Sequence, residues 1–125
     1  MITPLEALAD AFMHHEGWGP GTRSNRNRNP GNLRPWKNGQ PTDGEGYRTF
    51  PSLIDGYSAL LDDLRSKLHG SHGLTGDSLL IDLLNVYAPA GDNNNPTQYA
   101  FDVANWVSKA LGKTITVATK LKELQ

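Results

Sequence analysis

The sequence predicts a mainly α (α+β) fold, with about four to five helices around a cleft and a small β-hairpin insert near the N-terminus. Three observations predict it. Apolar residues recur at three- and four-residue steps in several stretches, each bracketed by helix caps. Between residues 17 and 46 that periodicity stops, and glycine, proline and asparagine accumulate. There is no cysteine, so neither a disulfide framework nor a thiolate metal site organises the 125 residues. That length suits one domain, residues 1–125.

Thr3-Pro4-Leu5-Glu6 reads as a capping box with proline at the first helical position. Leu5, Leu8, Ala9, Phe12 and Met13 then mark one helix face, which Gly17 and Gly19-Pro20 end. Residues 17 to 46 hold too many breakers for a helix. Asn32-Leu33-Arg34 and Tyr47-Arg48-Thr49-Phe50 are expected as short strands, with turns at Asn38-Gly39 and Asp43-Gly44. Ser52 with Asp55 opens a second helix, whose stripe is Leu53, Ile54, Tyr57, Leu60, Leu61, Leu64 and Leu68; Gly70 ends it. A third helix is expected from Ser78 to near Tyr87. Asn93-Asn94-Asn95 before Pro96 reads in part as capping, with Asn95 the N-cap of a fourth helix. Tyr99, Ala100, Val103, Trp106, Val107 and Leu111 form its buried face, and Gly112 closes it. Thr116 to Leu124 is expected as a last short helix.

Charge is unevenly spread. The total is −1, yet Gly17 to Gln40 holds five basic residues (Arg23, Arg26, Arg28, Arg34, Lys37) and no acid. The near-neutral total argues against a general nucleic-acid binder. The local run reads either as a solvated loop or as a basic wall beside a cleft that holds an anionic substrate. No apolar run reaches the length of a membrane span, and the N-terminus lacks the pattern of a signal peptide.

Glu16 continues the series Leu5, Leu8, Phe12 and so falls on the apolar face of the first helix, in its last turn. Burial and the negative end of a helix dipole both favour a protonated carboxyl group, the form that a general acid requires. Glycosidic cleavage uses such an acid, commonly beside a second carboxylate. Asp43 and Glu45 are the available second carboxylates, and both also fit simple turn roles. With neither in reach, an acid/base of one carboxyl group can act with the substrate's own acetamido or hydroxyl group. Asn29-Pro30-Gly31-Asn32 is a turn by chemistry, proline setting φ and glycine permitting φ > 0, and its asparagine amides also suit a sugar acetamido group. Tyr47, Tyr87 and Trp18 are the aromatics nearest to loops, and Asn94 is the remaining cleft candidate. Trp106 is assigned to the core. His14-His15 and His69 with His72 offer no convincing metal ligand set, so no metal or organic cofactor is expected.

Glu16-Gly17-Trp18 followed by Arg26-Asn27-Arg28-Asn29-Pro30-Gly31-Asn32-Leu33-Arg34 resembles a phage and prophage group of lysozyme-like proteins, within the goose-type lysozyme and lytic transglycosylase superfamily. Tyr47-Arg48-Thr49-Phe50-Pro51-Ser52 before a helix containing Gly56 resembles the group's second signature. Tyr87-Ala88-Pro89, then Asn94 and Tyr99, resembles the third. Arg28 stands where the group usually has asparagine. The resemblance implies a lysozyme-like fold, peptidoglycan or a related N-acetylated glycan as substrate, and Glu16 as the catalytic acid. It places Asn29, Asn32, Arg34, Tyr47, Tyr87 and Asn94 as substrate-binding candidates.

The expected activity is therefore glycan-strand cleavage of muramidase or lytic transglycosylase type, by a monomer acting without nucleic acid or membrane. It would reside in the host cytoplasm before release to the cell wall, or in a virion. The alternative is a non-catalytic wall-binding or virion structural protein on the same fold. A third possibility is cleavage as a glucosaminidase, or of chitin-like glycans.

Overall fold

The computed structural model describes residues 2–92 and 94–125. Five α-helices carry the chain: α1 (Pro4–His15), α2 (Arg23–Arg26), α3 (Leu53–Leu68), α4 (Leu80–Tyr87) and α5 (Pro96–Leu111). Short 3₁₀ turns lie at Ala90–Asp92 and Leu121–Leu124. Helix α1 packs on α3 and α5, α4 packs on α5, and the last 3₁₀ turn rests on α3. Their shared core is aliphatic, with Leu8, Leu60, Leu64, Leu84, Val103 and Leu121 fully buried around Phe12.

The caps are those the sequence chemistry calls for. Thr3 N–H donates to the Glu6 carboxylate at 3.0 Å and Glu6 N–H to the Thr3 hydroxyl at 3.1 Å to start α1. Ser52 accepts from Asp55 N–H at the start of α3, and Asn95 accepts from Gln98 N–H at the start of α5. Gly112 ends α5 in the left-handed conformation, at φ 67°. Helix α4 begins at Leu80 rather than at Ser78. Its first N–H groups are satisfied by the C-terminal segment, Leu80 N–H donating to Thr119 C=O and Ile81 N–H to Val117 C=O. That pairing also keeps Thr116–Lys120 out of a helix, so the expected last helix shrinks to the turn Leu121–Leu124. The asparagine cluster before α5 is described at Asn94 and Asn95; Asn93 lies outside the described residues.

One buried-face assignment fails, and the start of one apolar stripe is left uncovered. Trp106 is 38% exposed, because the buried face of α5 centres on Tyr99, Ala100, Val103, Ala104 and Val107. Its ring stacks instead on His14 at 4.5 Å. Leu53 and Ile54, in the first turn of α3, are 41% and 80% exposed. The segment between α1 and α3 also departs from expectation. It contains one α-helical turn, α2, where the breakers argued for none. In place of a hairpin there is one antiparallel bridge, Thr42 with Arg48, and no strand forms among the described residues. Pro35 and Pro41 lack the N–H groups that a longer ladder needs.

Side chains replace the missing ladder. Asn29 is fully buried; its Nδ2 donates to Leu33 and Arg48 C=O, and its Oδ1 accepts from Leu33 N–H, all at 2.9–3.0 Å. The segment then lies directly on α3 at Gly56, where a Cβ would sit 1.9 Å from Arg28 O. Within a helix, glycine to alanine ordinarily gains about 1 kcal/mol of propensity. Here the backbone clash outweighs that gain. Gly56→Ala is expected to destabilise the fold by about 1–3 kcal/mol, the usual cost of overpacking, measured by denaturant unfolding. A neutral or stabilised variant would contradict this packing.

Candidate active site

Glu16 terminates α1 as its C-cap, its N–H bonded to Phe12 C=O. The side chain is half-buried and engaged at both oxygens. Asn32 Nδ2 donates to Oε1 at 2.9 Å, and Tyr99 O–H donates to Oε2 at 2.7 Å. Three separate segments therefore meet at one carboxylate: the end of α1, the turn before the bridge, and α5.

Each donor is itself constrained. Tyr99 is 2% exposed, and its ring packs on Phe12 and Tyr87. Burial above all, then the neighbouring Tyr87 and Glu16, raises its phenol well above the ordinary value, so near neutral pH it is a proton donor. Asn32 takes a left-handed backbone at φ 49°, which asparagine tolerates better than most side chains. The sequence chemistry assigned positive φ to Gly31, but Asn32 adopts it instead. Gly31 is required for space: a Cβ there would lie 2.6 Å from Tyr87 Oη and 2.7 Å from a Leu60 methyl. Tyr87 O–H donates to Gly31 C=O at 2.6 Å, fixing the peptide that presents Asn32.

A recess of about 100 Å³ opens over Glu16, lined also by Asn32, Arg34, Tyr47, Tyr87 and Asn94. Asn32, Arg34 and Tyr87 border a second recess of about 310 Å³ that reaches Trp36, Lys67 and His72. Of the residues selected from sequence, Asn29 is the exception. It is fully buried and holds the turn from behind, its amide engaged by main chain. Trp18 does not line either recess. The basic run disperses: Arg34 borders both recesses, whereas Arg23 pairs with Glu45 at 3.0 Å and Arg26 donates to Gly21 C=O. The guanidiniums of Arg23 and Arg34 both lie over the Tyr47 ring, at 4.3 and 4.5 Å.

One polar atom at the site is without a partner. Asn32 Oδ1 is buried and accepts no hydrogen bond. A half-turn of the amide would instead let Oδ1 accept from a protonated Glu16, so Asn32 can serve both protonation states of the acid.

The two other carboxylates considered from sequence have different work. Glu45 is exposed and paired with Arg23. Asp43 accepts from Asn27 Nδ2 and from the N–H groups of Glu45 and Tyr47, at 2.8–3.2 Å. Those donors, the Asn27 amide first, hold its carboxyl below the ordinary aspartate value. Neither lines the recess, where Glu16 is the one carboxylate among the described residues. The sequence places Tyr99 on a buried helix face and in the third signature, but not among the site residues. A usable signal existed, because a tyrosine on a buried stripe needs a hydroxyl partner.

No protein-family model, curated protein or solved structure matches the chain. The chemistry of the site rests on its own residues.

The Asp43 clip has a pH signature. Its folded-state value is depressed, so its stabilising contribution is present above the unfolded value of about 3.9 and is lost as pH falls through the folded one. The amide resonances of Glu45 and Tyr47 are expected to titrate together below that unfolded value. Asp43→Ala should abolish the transition; an unchanged titration in that variant would contradict the clip.

Proposed function

We propose that this chain cleaves the glycan strand of peptidoglycan on a lysozyme-like fold, as a muramidase or lytic transglycosylase-type enzyme of the phage lysin kind. The observation that carries the reading is Glu16, a half-buried carboxylate in a recess, held at both oxygens by Asn32 and Tyr99. The order of the three sequence signatures supports it independently.

In this reading protonated Glu16 gives its proton to the glycosidic oxygen. The bond from the anomeric carbon to that oxygen breaks, the leaving sugar departs as an alcohol, and an oxocarbenium-like centre remains. As the proton leaves, negative charge develops on Glu16. Tyr99 O–H and the Asn32 amide are already positioned to receive it, so little reorganisation is needed. Glu16 then takes a proton from the group that attacks the anomeric carbon. Attack by water gives hydrolysis; attack by the sugar's own C6 hydroxyl gives an anhydro end.

Asp43 and Glu45 have partners away from the recess, so the cationic centre is best stabilised by the substrate's own acetamido oxygen. Arg34 suits a carboxylate of the peptide stem. Tyr47, Tyr87 and Asn94 provide ring and amide surface for the sugars, and the adjoining recess gives a polymer room to continue.

Glu16→Gln keeps the size of the side chain and removes the transferable proton. It is expected to lower release of soluble muropeptides from purified sacculi by at least about 10²-fold, the usual weight of a general acid, with an unchanged melting temperature. Near-wild-type release by that variant would overturn the assignment. Binding to sacculi without release by the unmodified chain would favour a wall-binding protein.

A further inference from the structure

Tyr99 is constrained from a side that the proposed chemistry does not use. The imidazole of His15 stacks on its ring, with centroids 3.6 Å apart and planes inclined by 23°. His15 Nδ1 lies 3.2 Å from Asp102 Oδ2. Asp102 Oδ1 accepts from Gln98 Nε2 at 3.0 Å. Asp102 and Gln98 stand one turn apart on α5, the helix that carries Tyr99, and His15 is the last residue of α1, directly before Glu16.

This arrangement is more than surface packing. A phenol delivers its proton along a direction fixed by the ring plane and by rotation of the C–O bond. Phe12 and Tyr87 contact the Tyr99 ring at tilted or edge geometry, at 5.2 and 6.2 Å. His15 is the closest of the three stacked or edge-on partners and the one nearly parallel to it. Imidazole Nδ1–H can donate to Asp102 whether or not the second nitrogen carries a proton, so the clasp does not depend on the charge of His15. Asp102 in turn keeps the imidazole plane against the phenol.

We infer that His15 and Asp102 are positioning residues that act through Tyr99: they hold the phenol plane so that its hydroxyl meets Glu16 Oε2. The inference rests on Glu16 as the acid only for its kinetic consequence; the geometric claim stands without turnover. Neither residue touches the recess, so substrate affinity is outside their role.

The test combines turnover with a direct view of the hydroxyl. On solubilised glycan strands, His15→Ala is expected to lower kcat about tenfold, the order of loss that a small misplacement produces, with KM within about twofold. His15→Phe restores a flat ring against Tyr99 and is expected to recover most of kcat. Asp102→Ala frees the imidazole and should fall between them. In a Tyr99→Phe background, His15→Ala should cost nothing further, because the two act as one unit. By NMR, the Tyr99 hydroxyl proton should be slowly exchanging in the unmodified chain, lost in His15→Ala and present again in His15→Phe. Losses that multiply in the double variant would overturn the inference, as would a hydroxyl signal that persists in His15→Ala. If the unmodified chain shows no turnover, the enzymatic reading fails and the hydroxyl signal alone decides the positioning claim.

Discussion

The Glu16 carboxylate ties together segments that local structure leaves apart. Asn32 reaches it across 16 positions and Tyr99 across 83. A carboxylate at the end of a helix would ordinarily turn to water, where it is solvated at no cost. Here two donors hold it at the recess, and every neighbouring feature serves one of them. Tyr87 and Gly31 set the peptide that carries Asn32. Phe12, Tyr87 and His15 enclose the ring that carries the Tyr99 hydroxyl. Loss of either donor would leave Glu16 held at one oxygen alone.

The polar turn that supplies Asn32 is ordered without a sheet. One bridge cannot hold so many residues, and proline removes the donors for more. Buried amides and carboxylates substitute for a ladder. Asn29 ties residues 33 and 48, and Asn27 with Asp43 ties the loop around Tyr47. Gly56 lets the loop backbone rest on α3 with no side chain between. A segment built this way is tied by side chains and has no strand pattern to read.

That difference explains what was legible in the sequence. The long helices were readable from periodicity together with Thr3, Ser52, Asn95 and Gly112, because caps and stripes are local signals. Glu16 was readable because it breaks its own stripe. The turn pairs at Asn38-Gly39 and Asp43-Gly44 point to a hairpin, and both glycines take positive φ, but Pro35 and Pro41 lack the donors that a longer ladder needs. Trp106, assigned to the core, and Leu53 and Ile54, at the start of an apolar stripe, are exposed because a stripe does not reveal where the neighbouring helix ends. The motif groups Asn29 with Asn32, although the two ends of that four-residue turn face different ways, Asn29 into the protein and Asn32 toward Glu16. Tyr99 was missed as a site residue because its partner lies 83 positions away, and no local pattern carries that information.

The central claim is that the Glu16 recess cuts glycan bonds, and the nature of the new chain ends tests it most directly. Purified sacculi would be digested in ¹⁸O-labelled water, and the released fragments reduced and read by mass spectrometry. The account predicts new glycan ends: either a reducing sugar carrying one labelled oxygen or an anhydro sugar carrying none. Reduced muramic acid or glucosamine at that end identifies the bond. Fragments bearing only new amino or carboxyl termini, with the glycan strands intact, would contradict it.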